Sequence, residues 1–256
     1  MSLFDHEARQ FKFDVLREVS KRSFEGKLNE DTCDEVANLL IPGKRADFRC
    51  CIYKEKEIIR QRTRMAMGKP PVPVEHENKR QIVRVIDAAC DGCSIHKIQV
   101  TDNCRKCMAK ACLSACKFDA IHMGNDHAFI DYDKCKECGA CKNACPFNAI
   151  VETQRPCMKS CPVDAISMGE SGLAEIDEEK CINCGACQAK CPFGAIEDMS
   201  WMVDVIEELK KGTEMYAIFA PAMQGQFDNA TLPQVMEGIR QLGFRDVYEA
   251  AIGVDA

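Results

Sequence analysis

Two stretches decide how this chain is organised: DKCKECGACKNACPFNAI at residues 133–150 and EKCINCGACQAKCPFGAI at residues 179–196. Both read Cys-x2-Cys-x2-Cys-x3-Cys-Pro, with Cys135, Cys138, Cys141 and Cys145 in the first and Cys181, Cys184, Cys187 and Cys191 in the second. Three thiols at intervals of three, with small Gly139-Ala140 or Gly185-Ala186 between the second and third, can wrap around one compact group while backbone N–H donors approach it. A short helical turn then carries the third and fourth cysteines, and Pro146 or Pro192 ends it. A structural zinc ion usually draws on separated Cys-x2-Cys pairs, so four-cysteine runs fit zinc poorly.

The spacing is that of a [4Fe-4S] site in bacterial ferredoxins, where the fourth cysteine ligates the other cluster of a pair. A shorter signature, Cys-x3-Ala-Ile, recurs at Cys116, Cys145, Cys161 and Cys191 and marks each fourth position. Four such cysteines imply four clusters and sixteen thiolates, and Cys90 to Cys191 supply sixteen of the 19 cysteines. The order of these sixteen suggests nesting. Cys104, Cys107, Cys112 and Cys116 open one two-cluster module; Cys157 and Cys161 open a second that lacks its first pair, while Cys90-x2-Cys93 stands alone upstream. Residues 94–156 therefore read as one module inserted into the opening run of another. The pairing rule assigns Cys104, Cys107 and Cys112 with Cys145, and Cys135, Cys138 and Cys141 with Cys116. It further assigns Cys181, Cys184 and Cys187 with Cys161, and Cys90, Cys93 and Cys157 with Cys191. A competing arrangement draws Cys33, Cys50 or Cys51 into the last site. None of the five histidines falls in a ligand run; His96 and His122 are nearest and read as polar partners. Trp201 and the 12 Met read as packing around the clusters.

Composition excludes much else. At 256 residues with 46% hydrophobic and 29% charged side chains, the chain can bury a core, and its net charge of -6 disfavours nucleic acid as a partner. Secreted disulfide scaffolds are typically shorter than about 80 residues and carry a leader, whereas MSLFDHEARQFKFDV mixes charges throughout. The longest apolar run, Tyr216 to Met223, is far short of the roughly 20 residues of a membrane span. A cytoplasmic location is expected. P-loop, Gly-x-Gly-x-x-Gly, His-Glu-x-x-His and Gly-x-Ser-x-Gly patterns are absent, which leaves nucleotide-binding and hydrolytic readings without support.

Charge divides the chain in three: residues 1–86 carry 18 basic and 14 acidic side chains, 87–200 carry 12 and 17, and 201–256 carry 4 and 9. Phe11, Val15, Leu16 and Val19 recur at helix spacing; Thr32 to Leu40 and Ala46 to Met67 read as further helices. The face with Lys54, Lys56, Arg60, Arg62 and Arg64, interleaved with Glu55 and Glu57, reads as solvated surface. Residues 68–86 contain three prolines and read as a linker or strap. Ser200 is the expected N-cap of a helix through Lys211, followed by strand Met215–Ala220, helix Leu232–Leu242 and strand Asp246–Glu249, a βαβ rhythm. The expected fold is α+β: a helical region at 1–67, the strap at 68–86, nested dicluster-ferredoxin-like modules at 87–199, and the beginning of an α/β domain at 200–256.

Four clusters whose thiolates are all committed leave no substrate pocket, so successive one-electron transfer is the expected chemistry, with Lys106, Lys134, Lys142 and Lys180 placed to raise potentials. The tail narrows the reading. MYAIFAPAMQGQF followed by LPQVMEGIRQLGFRDVYEAAIGVDA resembles the opening of the catalytic domain of [FeFe] hydrogenases, over about 42 residues directly after a ferredoxin region. Arg49-Cys50-Cys51 and the Cys90-x2-Cys93 pair are similar to the cytoplasmic group B branch of that family. The resemblance implies reversible proton reduction at an H-cluster in a longer protein. The three H-cluster motifs, Thr-Ser-Cys-Cys-Pro, Met-Pro-Cys and a Gly-rich Cys-x3-Cys, are not in this sequence, so no catalytic residue carries over. The chain is expected to be the electron-delivering part of such an oxidoreductase, truncated before those motifs, with a redox partner such as a ferredoxin or another oxidoreductase. The alternatives are a stand-alone polyferredoxin, which requires residues 200–256 to close on themselves, an iron-sulfur subunit of another oxidoreductase, and a redox or oxygen sensor, which no DNA-binding motif supports.

Overall fold

Local spacing sets the helices and strands of this computed structural model, which describes residues 7–74, 81–90, 93, 96–223, 225–227 and 229–253. Residues 75–80 of the strap and Val254–Ala256, where the Gly-x-Asp of the tail ends, lie outside the described residues. The helices are α1 (Glu7–Phe24), α2 (Thr32–Leu40), α3 (Ile52–Ala66), α4 (Ala111–Ala115), α5 (Ala140–Ala144), α6 (Pro156–Ser160), α7 (Ala186–Lys190), α8 (Met202–Lys210) and α9 (Leu232–Gln241). The strands are β1 (Val83–Val85), β2 (Ile98–Val100), β3 (Ile121–Met123), β4 (Ala128–Ile130), β5 (Ile150–Glu152), β6 (Ile166–Met168), β7 (Ala174–Ile176), β8 (Ile196–Asp198), β9 (Tyr216–Phe219) and β10 (Asp246–Glu249). They divide between two compact units, residues 1–90 with 193–256, and residues 91–192. No described helix is long and apolar enough to cross a membrane.

In the first unit, the apolar stripe of α1 meets α2, α3 and α8: Val15, Val19, Val36, Ala37, Ile41, Ile59, Ala66 and Val203 form one buried core, with Phe11 and Leu16 packed against it. Each large member contributes about 1.5–3 kcal/mol of apolar burial. α2 has the bounds its sequence predicts, and Asn29 rather than a cap on the helix itself takes part at its start, its Oδ1 accepting from Thr32 Oγ1 at 3.0 Å. α3 begins six residues later than expected. Glu55, fully buried, explains this: its Oε1 accepts the backbone N–H groups of Asp47, Phe48 and Arg49 at 2.8, 2.5 and 2.8 Å, which folds residues 47–49 around the carboxylate instead of into the helix.

The basic face of α3 is not the solvated surface its composition suggests. Arg62 is buried and pairs with Glu197 on β8, while also donating to the carbonyls of Ala8 at 3.1 Å and Gly194 at 2.8 Å. Arg60 pairs with Asp34 and Lys56 donates to Asn38 Oδ1. Tertiary pairing with acceptors distant in sequence overrides the local pattern. β1 and β8 pair antiparallel, Val83 opposite Asp198 and Val85 opposite Ile196. Ser200 Oγ accepts the Met202 N–H at 3.1 Å, although Trp201 occupies the cap position of α8. Trp201 is exposed rather than packed around a cluster. β9 and β10 run parallel through α9, whose start is closed by a capping box of Thr231 and Gln234.

In the second unit, β2 pairs with β5, β3 with β4 and β6 with β7, all antiparallel. Strands of three residues are too short to stand alone and depend on packing. The Ala-Ile dipeptide that follows each fourth cysteine supplies it here: Ala120, Ile121, Ala149, Ile150, Ala165 and Ile166 are all buried. Ile98, Ile121, Ile130 and Ile150 form a core that includes Cys112 and Cys141. Met108 departs from the packing expectation for methionine and is 99% exposed.

Candidate metal centre

One backbone device recurs wherever a fourth-position cysteine stands. The third residue after Cys116, Cys145, Cys161 and Cys191 is left-handed in every case: Asp119 at φ 47°, Asn148 at φ 51°, Asp164 at φ 49° and Gly194 at φ 58°. Only Gly, Asn and Asp adopt this region readily, and those are the residues present. The turn aims the next N–H back at the thiol. Ala120, Ala149 and Ala165 donate to the Sγ atoms of Cys116, Cys145 and Cys161 at 3.4, 3.4 and 3.2 Å. Donors of this kind favour a thiolate over a thiol.

A second left-handed turn precedes Cys107, Cys138 and Cys184, at Lys106, Glu137 and Asn183. A third starts the short helices: Gly139 at φ 77° and Gly185 at φ 74° hold the position before α5 and α7. The equivalent position before α4 is Lys110, at φ 43°, where the interval from Cys107 to Cys112 is two residues longer. Two further donors reach thiols, Ala128 N–H to Cys104 and Glu137 N–H to Cys135, both at 3.4 Å.

These turns bring the cysteines into sets. Cys116, Cys135, Cys138 and Cys141 line one cleft, walled by Gly139, Ala140 and the apolar side chains of Ile98, Ile121 and Ile130. Among the described residues no three His, Cys, Asp or Glu side chains stand close enough to hold a single metal ion. Burial pushes the Cys141 thiol up, and Cys135 and Cys116 push the same way against two backbone donors. Burial likewise raises Cys112, with Cys145 and Cys104 adding to it, and Cys187, with Cys181 and Cys184 adding to it. Thiols packed so that each opposes its neighbour's ionisation call for a cationic group to compensate them, and a cluster's iron would supply that charge. The donor set, the apolar wall and the N–H groups aimed at sulfur all fit a [4Fe-4S] group.

The remaining assigned cysteines are placed less fully. Cys107 is half-buried on the loop before α4, Cys157 is buried on α6, and Cys161 and Cys191 are half-buried. Cys90 is buried at the end of a 3-10 turn in the first unit, whereas Cys93, Cys157 and Cys191 belong to the second. Burial pushes the Cys33 thiol up, and Cys50 is exposed. His96 stacks on Tyr132 with ring centroids 3.5 Å apart, and His122 packs at 5.4 Å against Phe129.

The lysines read as raising the potentials are mostly tied down. Lys134 pairs with Asp131, Lys142 with Glu152 and Lys180 with Asp177; Lys106 donates to the Asn125 carbonyl. Lys97 also pairs with Glu152, and Lys142 and Lys97 together hold that carboxyl down to about 2.

Comparison with known proteins agrees with this chemistry. The LdpA Fe-S cluster-binding domain matches residues 151–202, and a 4Fe-4S binding domain matches residues 128–151. A ferredoxin of Alicyclobacillus acidocaldarius subsp. acidocaldarius is 42% identical over 55 residues, 22% of this chain and 70% of that protein. A ferredoxin named Ferredoxin 7Fe, from Hydrogenibacillus schlegelii, is 41% identical over 51 residues, 20% of this chain and 65% of its own length. Ferredoxin-1 of Caulobacter vibrioides is 37% identical over 51 residues, 20% of this chain and 45% of its own length. The cysteine-rich part of the chain therefore binds 4Fe-4S clusters in ferredoxin-like, electron-transferring domains, and through it the chain belongs to the ferredoxin family.

Proposed function

We propose that the chain is a four-site electron relay, built from one dicluster module nested in another, and that it serves an [FeFe]-hydrogenase-like oxidoreductase. The observation that carries the count is the left-handed turn three residues after each of Cys116, Cys145, Cys161 and Cys191. Strand pairing supports the nesting: β2 pairs with β5 across the hairpin β3–β4, while β1 pairs with β8 across a segment containing the hairpin β6–β7. Bound [4Fe-4S] groups supply one-electron redox chemistry at potentials set by charge, sulfur hydrogen bonds and exposure. The chain's own residues hold them: Cys104, Cys107, Cys112 and Cys145 form one set, and Cys135, Cys138, Cys141 and Cys116 a second. Cys181, Cys184, Cys187 and Cys161 form a third, and the cysteine order assigns Cys90, Cys93, Cys157 and Cys191 to a fourth. The N–H donors of Ala120, Ala128, Ala149 and Ala165 stabilise the ligating sulfurs, and Ile98, Ile121 and Ile130 exclude water from the Cys141 set.

The hydrogenase reading rests on the tail resemblance and is supported by the parallel β9–α9–β10 unit. Parallel sheets of α/β domains are covered on both faces, whereas Tyr216, Ile218 and Tyr248 are 53, 73 and 46% exposed. This favours an α/β catalytic domain over a stand-alone polyferredoxin. Anaerobic iron and sulfide analysis tests the relay: four sites of four iron each are expected, and a content of two sites overturns the nesting. The intact mass of the product in its native cells tests the rest. A mass well above 28.6 kDa together with hydrogen turnover is expected; a mass near that value makes the polyferredoxin reading the better one.

A further inference from the structure

We infer that the loop at residues 105–110, with Lys117 and Phe118 at the far end of α4, is the docking surface for an acidic electron-carrier protein that reduces the site of Cys104, Cys107, Cys112 and Cys145. The inference rests on the proposed reading of these four cysteines as one ligand set, and all of it lies within the second unit. Cys112 and Cys104 share the buried core with Cys145, and the Ala128 N–H donates to Cys104 Sγ at 3.4 Å. Cys107 stands on the loop itself.

The loop departs from its counterparts in a directed way. Where the other runs have Gly139-Ala140 or Gly185-Ala186 between the second and third cysteines, this one has Met108-Ala109-Lys110-Ala111. The two added residues carry Met108 out to 99% exposure, directly beside Cys107, and Phe118 is exposed beyond α4. A flexible, polarizable thioether suits a surface that takes a partner. Lys110, at φ 43°, holds the position that glycine holds in the sister runs, so a cation is kept there against backbone strain. Residues 103–118 contain four cations, Arg105, Lys106, Lys110 and Lys117, all exposed, and no acid. Lys106 donates to the Asn125 carbonyl, which leaves its charge unneutralised. The side chains of Arg105, Lys110 and Lys117 make no ion pair or hydrogen bond among the described residues, whereas Lys134, Lys142 and Lys180 are each paired with a carboxylate. On a chain of net charge -6, such a patch attracts an acidic carrier at one place while the rest repels it, which fixes the approach. One electron crosses per encounter: the carrier is oxidised by one, the site is reduced by one, and no bond forms or breaks.

The experiment is anaerobic stopped-flow reduction of the whole chain carrying its clusters, with a reduced acidic two-cluster ferredoxin as the probe and reduced methyl viologen as the small-molecule control. Arg105→Gln/Lys117→Gln is expected to keep its iron and its viologen rate and to lose about tenfold in second-order rate with the ferredoxin at about 10 mM salt, the difference closing near about 1 M. Met108→Ala is expected to slow the ferredoxin reaction without changing its salt dependence. An unchanged ferredoxin rate in the double variant with iron intact overturns the inference, as does a loss equal at both salt concentrations. Tighter binding of a single-stranded oligonucleotide than of the ferredoxin overturns it in favour of a phosphate ligand, and self-association that the double variant abolishes overturns it in favour of a second copy. Cys107→Ser separates the two layers: full iron in that variant overturns the ligand reading itself, whereas iron lost there with the double variant unaffected overturns the docking surface alone.

Discussion

Replacing Arg62 with Met removes the ion-pair partner of the buried Glu197 carboxylate and leaves Lys12 as the other cation acting on it, and the structure sets both the size and the pH course of the damage. The Arg62 and Glu197 side chains are 3 and 7% exposed, so solvent screens their attraction little. Arg62 also satisfies the carbonyls of Ala8 and Gly194, and Met can satisfy neither. Breaking one side of such a pair costs about 3–5 kcal/mol, most of it the penalty for the charge left behind. Burial already raises the Glu197 carboxyl above its ordinary 4.5, with the Arg62 charge opposing that rise. Without Arg62 the group rises further. An acid whose folded pKa is raised binds more protons folded than unfolded, so its stability cost is absent below about 4.5 and grows as pH rises through the folded value. The deficit of Arg62→Met should therefore shrink between pH 7.5 and pH 5. Urea unfolding followed by Trp201, the single tryptophan and a residue of the same unit, reads this directly. Adding Glu197→Gln should recover a large part of the loss at pH 7.5. A deficit below about 1 kcal/mol, or one equal at both pH values, would refute the reasoning.

Three further outcomes are expected. Cys141→Ser should lose one cluster's worth of iron while Cys33→Ser loses none, measured by anaerobic iron and sulfide assay; equal iron in both contradicts the cleft at Cys141 as a ligand set. Lys110→Gly should stabilise the second unit by about 0.5–1 kcal/mol in denaturant unfolding, because a left-handed non-glycine residue is strained and its counterparts are Gly139 and Gly185. NMR titration should find Glu152 ionising near 2, with Lys142→Ala or Lys97→Ala moving it back toward 4.5. Its depressed value means the stabilising pairings are present above about 4.5 and are lost as pH falls through about 2.

The cluster-binding runs were legible because a polynuclear metal group demands ligands at short fixed intervals, and those intervals survive as letters. Helix α2 and the β9–α9–β10 unit were legible for a related reason: their stripes, caps and glycine stop are all local. What stayed hidden depends on partners far along the chain. The partner of Val83 is Asp198, and a three-residue strand carries no period strong enough to announce it. Glu55 and Arg62 look like surface charges because their alternation with Lys54 and Glu57 is ordinary; only folding reveals that one collects three backbone donors and the other a buried carboxylate. The Asn and Asp three residues beyond the fourth cysteines were visible, but their meaning as left-handed turns needed the backbone.

The pairing of β1 with β8 also sets an order of events during synthesis. The first unit needs β8 and α8, which the ribosome makes only after residues 91–192 have emerged, whereas each strand of that inserted segment finds its partner within it. At roughly 5–20 residues per second, about 100 residues separate the two halves of the first unit by roughly 5–20 s. During that interval the N-terminal helices wait with an incomplete core, and the inserted segment has time to acquire iron and sulfide while it is still tethered to the ribosome.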